Sequence, residues 1–302
     1  GRNSGFAIDH AHALGSGEAD ADSMRAQKRL YTAALHELRD IVAANGINCD
    51  WRDDGKYHAA MSKRGVKKIL APLGRALEAA GEPHQWVESD ELKDALGVDV
   101  YKGAVFTPGT ALVNPAALVR GLADTLPDNV ALYEKSPVVE INDGEPVVAA
   151  TEKGRIEAHS AILAANAFTP AFGQYTGRLL PFVAFASLTE RMTETEQLAL
   201  GGKKSWGVTP ANAFVGPTIQ RTGDQRILFR YGILYRPGLK HSAGELRKVK
   251  ARHEKRFREI FPMLETLSLQ HTWGGYLSIS ANQHSAFGRI GERLWTAAGH
   301  QG

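Results

Sequence analysis

The string GRNSGF sets Gly1 and Gly5 around Arg2, Asn3 and Ser4. Glycine lacks a Cβ and tolerates positive φ, so such a string suits a loop whose backbone comes close to a partner, with amide N–H groups facing an anion. By itself it reads as a surface turn. SAILAAN, residues 160–166, is a short continuous apolar run ending in small residues and Asn166. A buried strand that delivers its carboxyl end to a ligand has that pattern. His10 and His12 stand two apart in FAIDHAHAL. They have the spacing of a metal pair, but no acidic or histidine group accompanies them in a recognisable pattern, so no metal is expected. Either could titrate near neutral pH beside a site, or be an exposed loop histidine. Cys49 is the single cysteine, which excludes an intramolecular disulfide and a cysteine cluster, and it reads as buried packing.

These residues need a frame, and composition bounds it. The chain has 302 residues, 43% hydrophobic and 23% charged, enough for a sizeable core and about two domains. Its formal charge of +3 is small for this length and gives little support to a nucleic-acid or membrane role. No run of about 20 apolar residues and no signal-peptide pattern occurs, and with one cysteine a reducing cytoplasm is expected. Apolar spacing predicts helices over 23–45, 63–80, 115–125 and 243–260, and a short one in ESDELKDALG begun without a full capping box. In the 243–260 helix Leu246, Val249, His253, Phe257 and Ile260 make the apolar stripe opposite a solvated basic face. INCDWRDDGKYHAAMS alternates around DDG as a hairpin would. Strands are expected near 130–134, 137–142, 146–151 and 161–165, in YKGAVFTPG, PFVAFASLTER, NAFVGPTIQR and QRILFRYGILY, and in HTWGGYLSIS and RLWTAAG. No repeat or linker stands out, so two domains would be interleaved.

In this order the pieces resemble the FAD-dependent amine and amino-acid oxidoreductases of the D-amino acid oxidase and glycine oxidase superfamily, particularly the branch that includes gamma-glutamylputrescine oxidase. GRNSGF looks like that family's flavin-side loop, YEKSPVVEI like the strand bordering the adenine, and ILAANAF like the strand and turn under the pyrophosphate. WGGYLSISANQHSAFGR and LWTAAGHQG look like its closing substrate strand and flavin loop. The resemblance implies an α/β (α+β) fold: an FAD-binding domain over 1–47, 100–172 and 285–302, interleaved with a mostly antiparallel substrate-binding domain over 48–99 and 173–284. It implies FAD contacts from Gly1, Arg2, Asn3, Ser4, Gly5, Val138, Val139, Ala164, Ala165, Asn166, Gly299 and Gly302. No G-x-G-x-x-G occurs, GSGEAD being the nearest string, so the first βαβ of the nucleotide domain is expected to be missing and the chain trimmed at both ends.

The implied activity is oxidation of the C–N bond of an amine or amino acid by hydride transfer to flavin, with oxygen or an electron carrier as acceptor. Such chemistry needs orientation of a neutral amine more than an acid–base residue. Alternation in ILFRYGILYR puts Arg230 and Tyr231 on opposite faces, and Tyr231 is preferred for the pocket. Trp273 and Tyr276 are expected to complete an aromatic wall, with sheet core as the alternative for each, and His300 to lie over the flavin. The competing reading is a cofactor-free remnant that acts only as a folded or binding protein. A nucleic-acid partner and stable membrane insertion are not expected.

Overall fold

Asn114 accepts hydrogen bonds from the backbone N–H groups of Ala116 and Ala117, both at 3.1 Å, and Pro115 takes the first helical position. That is why the helix begins where its sequence says it should. The computed structural model describes residues 2–9, 21–212, 214–280, 282 and 284–299. In chain order the elements begin β1 (Phe6–Ala7), α1 (Ala21–Ala44), β2 (Lys56–Ala60), α2 (Lys63–Gly65), α3 (Ala71–Ala80), β3 (Gln85–Val87), α4 (Ser89–Leu96), β4 (Gly103–Thr107), β5 (Ala111–Leu112) and α5 (Pro115–Asp124). They continue with β6 (Val138–Asn142), β7 (Val147–Thr151), β8 (Arg155–Ala158), β9 (Ala161–Leu163), β10 (Leu179–Thr189), α6 (Glu194–Leu200), β11 (Trp206–Pro210), β12 (Thr218–Arg221) and β13 (Ile227–Tyr235). α7 (Ala243–Ile260), β14 (Leu269–Ser280), β15 (Ala286–Arg289) and β16 (Leu294–Ala298) close the chain.

The chain divides into two compact units. Unit 1 comprises Gly1–Thr125, Phe185–Gly232 and His241–Gly274; unit 2 comprises Leu126–Ala184, Ile233–Lys240 and Gly275–Gly302. Residues 1–47 and 48–99 both fall in unit 1. An eight-stranded sheet, ordered β14-β10-β13-β12-β11-β2-β4-β3, is the backbone of unit 1, and β10, β13 and β14 run on past its chain boundaries. Its core gathers Tyr57, Leu92, Leu96, Trp206, Ile219 and Phe229 with Phe257 and Ile260 of α7. Burying each large apolar side chain contributes roughly 2 kcal/mol, offset by chain entropy. Unit 2 holds the three-stranded sheets β6-β7-β8 and β15-β16-β9. The mixed α/β architecture agrees with the expected fold class.

Several local expectations are corrected. INCDWRDDGKYHAAMS forms no hairpin: Arg52 N–H donates to the Leu112 carbonyl at 2.9 Å and the Arg52 carbonyl accepts the Leu112 N–H at 2.8 Å, while β2 pairs with β4 and, in parallel, with β11. The segment ahead of DDG thus finds a nonlocal partner that outcompetes its sequence neighbour. Residues 130–134 make no strand, and Val130, Leu132 and Tyr133 remain exposed. β8 and β11 were not legible as strands, since a four-residue run and a Gly-Val-Thr-Pro run carry little periodicity. α4 has more of a cap than expected, because the Glu91 carboxylate accepts the Glu88 N–H at 2.9 Å.

α7 shows how a polar group enters the core. His253 is fully buried; its Nε2–H donates to the Tyr231 carbonyl at 2.6 Å, so Nδ1 accepts from the Ser187 hydroxyl at 2.9 Å. Ser187 also bonds Thr272 Oγ1 at 2.9 Å. Burial pushes the imidazole pKa down to about 4, the Tyr231 carbonyl opposes that and Arg252 adds to it. Because the folded value lies below the unfolded 6.5, the unfolded chain binds the extra proton, and stability is lost as pH falls from about 6.5 towards 4. The loss should reach about 3 kcal/mol. In His253→Leu, denaturant unfolding should show lower stability at neutral pH and a smaller acid-side fall, so that the gap from the parent narrows with acidification. Gly97, at φ +76°, ends α4, and a Cβ there would collide with the Leu200 carbonyl oxygen. Gly97→Ala should cost more than about 2 kcal/mol in the same measurement.

Candidate active site

Arg2 and Asn3 are exposed, and Gly5 is buried at φ +74°. The Asn3 side-chain oxygen accepts the Gly5 N–H at 2.9 Å, folding the loop over itself as an Asx turn does. A Cβ on Gly5 would collide with the Val113 carbonyl oxygen, while Val113 N–H and Gln220 Nε2 donate to the Gly5 carbonyl at 2.9 and 3.2 Å. Close approach is therefore what this glycine supplies. Beyond it, Phe6 and Ala7 pair antiparallel with Leu112 and Ala111. Trp273 donates through Nε1 to the Arg2 carbonyl at 3.4 Å, and Arg2 Nη1 donates to the Gly274 carbonyl at 3.2 Å. The loop is tied to β14 by both residues.

Unit 2 carries a different arrangement. β9 and β16 run parallel, with Thr296 opposite Leu163, and the Thr296 hydroxyl donates to the Leu163 carbonyl at 3.1 Å. β9 ends at Leu163 and β16 two residues beyond Thr296, at Ala298, so Ala164, Ala165, Asn166 and Gly299 leave the same carboxyl edge. That edge is where open α/β sheets place ligands. Asn166, at φ +44°, accepts through Oδ1 from Gly299 N–H at 3.1 Å and from the Ser278 hydroxyl at 2.9 Å. One carboxamide thus joins three segments. The Gly299 N–H is committed to this bond rather than turned outwards. Val138 and Val139 open β6 and are exposed. Tyr276 meets the Phe168 ring edge-on at 5.9 Å.

Tyr231 is half-buried among Phe229, His253 and the Arg252 guanidinium, whose Cζ stands 5.7 Å from its ring centre. Arg230 faces the other way, donating to Thr218 Oγ1 at 2.5 Å, and burial pulls its pKa down to about 10. The expected opposition of Arg230 and Tyr231 is thus seen, and Tyr231 is fixed from α7. Gly1, His10, His12, His300 and Gly302 lie outside the described residues. Among the described residues no group of His, Cys, Asp or Glu could hold a metal ion, and no helix is long and apolar enough to cross a membrane. Cys49 is buried beside Val42, Val113 and Leu118, and burial pushes its thiol pKa up.

The β9/β16 edge fits a dinucleotide: Ala164 and Ala165 are small, Ala164 is exposed, and the Asn166 carboxamide holds the turn rather than filling it. Ser278 and Gln220, which brace Asn166 and Gly5, were missed from the sequence. Each sits more than 100 residues from what it supports, with no spacing signal to reveal it.

The chain is 24% identical over 272 residues to gamma-glutamylputrescine oxidoreductase of Escherichia coli, covering 88% of this chain and 61% of that protein. It is 25% identical over 286 residues to the probable oxidoreductase OrdL of Haemophilus influenzae, covering 91% and 63%. The chain thus spans about three fifths of the length of these relatives. Glycine oxidase from Geobacillus kaustophilus superposes with a TM-score of 0.73 at 22% identity, over 98% of this chain and 77% of that one. Glycine oxidase from Bacillus cereus gives 0.74 at 17% identity, over 98% and 80%. At these identities the likeness establishes the fold. The family described as DAO, FAD dependent oxidoreductase, matches residues 1–302, and this chain belongs to it.

Proposed function

We propose that this protein oxidises the C–N bond of an amine or amino acid, with FAD as its cofactor. The observation that carries the reading is the Asn166 carboxamide tying Gly299 and Ser278 at the carboxyl edge of the parallel pair β9 and β16. Asn166, Ala164, Ala165 and Gly299 are assigned to the dinucleotide, with Val138 and Val139 beside the adenine. Arg2, Asn3, Ser4 and Gly5 are assigned to the flavin side, as are Gly1 and Gly302. Bound FAD supplies a two-electron acceptor that takes a hydride from the carbon bearing the amine.

The chain's own residues have the task of holding the donor. An amine that gives up a hydride and a proton becomes an imine, which water converts to a carbonyl compound and the released amine or ammonia. The Tyr231 hydroxyl is assigned to a substrate carboxylate or other acceptor, and its backbone is fixed by the His253 bond to its carbonyl. Because His253 is neutral above about pH 4, that support does not titrate in the range where the free amine is available. Trp273 and Tyr276 are assigned to the apolar side of the substrate and His300 to the flavin face. The donor is proposed to be small, the final acceptor to be oxygen or an electron carrier, and the protein to work in the cytoplasm.

The decisive measurement is anaerobic addition of a panel of amines and D-amino acids to the FAD-loaded protein. Bleaching of the flavin absorbance by one of them is expected. Failure to take up flavin would instead favour a cofactor-free binding protein, and uptake without bleaching by any amine would sink the donor class alone. Asn166→Ala, which frees two donors at the turn, should weaken FAD about tenfold in a fluorescence titration, equivalent to ~1.4 kcal/mol. Tyr231→Phe should raise KM for a carboxylate-bearing donor by roughly tenfold with a smaller change in kcat, read from steady-state kinetics.

A further inference from the structure

Lys56 opens β2 and is completely buried, yet its ammonium nitrogen has no hydrogen-bond partner among the described residues. Thr107 lies directly opposite it in β4, so the two side chains share one face of the sheet. The Thr107 hydroxyl is likewise buried and unpartnered, as is that of Thr110 across the Pro108–Gly109 turn. The Thr110 carbonyl accepts the N–H of Gly55, the residue before Lys56, at 3.0 Å, which draws the turn against the start of β2. Three buried polar groups without partners therefore lie about one turn, and buried donors are rarely left without acceptors. Their burial without partners calls for an acceptor, and a negative one suits the amine.

Charged groups stand close to this turn. Asp9 packs against Gly109 so tightly that a Cβ there would collide with its carboxylate. Lys28 of α1 bonds Asp9 and, at 3.1 Å, Glu82 beyond α3. Burial lowers the Lys28 pKa, but the two carboxylates outweigh it and the net shift is upward. Lys28 and Glu82 also line an open cavity of about 600 Å³ beside α1. With two carboxylates and one ammonium the bridge is net negative. Burial pulls the Lys56 pKa down to about 7, Asp9 opposing and Lys28 adding to the fall. Lys56 is thus poised to gain or lose its proton, and an anion that enters together with a proton leaves the buried charge unchanged.

We propose that Lys56, Thr107 and Thr110 form a binding site for a small monovalent anion, of halide or formate size, at the turn between β4 and β5. The site lies within unit 1 and does not depend on flavin or on the amine-oxidising reading. Protonation of Lys56 accompanies occupancy, so apparent affinity falls as pH rises through about 7. Between about pH 6 and about pH 8.5 the loss should approach thirtyfold.

The test is chlorine NMR line width on the flavin-free protein, with formate as competitor and sulfate at matched ionic strength as control. A saturable broadening that formate reverses, that sulfate leaves in place, and that weakens at least tenfold from about pH 6 to about pH 8.5 is expected. Lys56→Met and Thr107→Val should lose or greatly reduce it, and chloride should raise the melting temperature of the parent but not of Lys56→Met. Broadening that is absent, non-saturable, independent of pH, equally displaced by sulfate, or unchanged in folded Lys56→Met would overturn the proposal. The parent's own saturation and pH dependence decide the matter even if a variant fails to fold.

Discussion

Gly5 holds a left-handed backbone conformation against the Val113 carbonyl, at a distance that leaves no room for a side chain. Much of unit 1 follows from that contact. It lets the Gly5 carbonyl accept hydrogen bonds from Val113 N–H and Gln220 Nε2 and sets Phe6 and Ala7 opposite Leu112 and Ala111. The register carries Asp9 to Gly109, where Lys28 joins it to α1. β5 in turn bonds Arg52, and the start of β2 lies against the same turn. A residue with a Cβ at position 5 would have to move either the loop or this strand, because the obstacle is backbone.

Unit 2 solves a similar problem with a side chain. There the Asn166 carboxamide, not close packing, gathers three segments at the edge of a parallel strand pair. The two devices share a physical property: each fixes loop backbone without placing bulk at the loop. That is the condition a large planar or phosphate-bearing ligand imposes, since backbone must be near and side chains must be out of the way.

Polar groups inside unit 1 divide into two kinds. His253 has both ring nitrogens engaged and pays for burial by staying neutral, which keeps it structural. Lys56 has an aliphatic stem that satisfies the core and an amine that the described residues do not satisfy. The contrast is a matter of neighbours, since both residues are fully buried. Nothing about GKYHA or KARHE in isolation separates the satisfied group from the unsatisfied one.

Local signals in the sequence settled what local physics controls. Asn114-Pro115 began α5, the stripe Val249, His253, Phe257 and Ile260 gave α7 its buried face, and the small residues after Leu163 marked a strand end suited to a ligand. The order of GRNSGF, ILAAN and LWTAAG was enough to indicate the family. Partner choice was beyond reach: β2 took β4 and β11 instead of its own flank, Tyr231 took His253, and Trp273 took the Arg2 carbonyl. Caps and periodicity act within a few residues, so they are written in short strings. Strand pairing, burial and the protonation state of a buried amine depend on groups up to hundreds of residues away, and only the folded chain brings those groups within hydrogen-bond range.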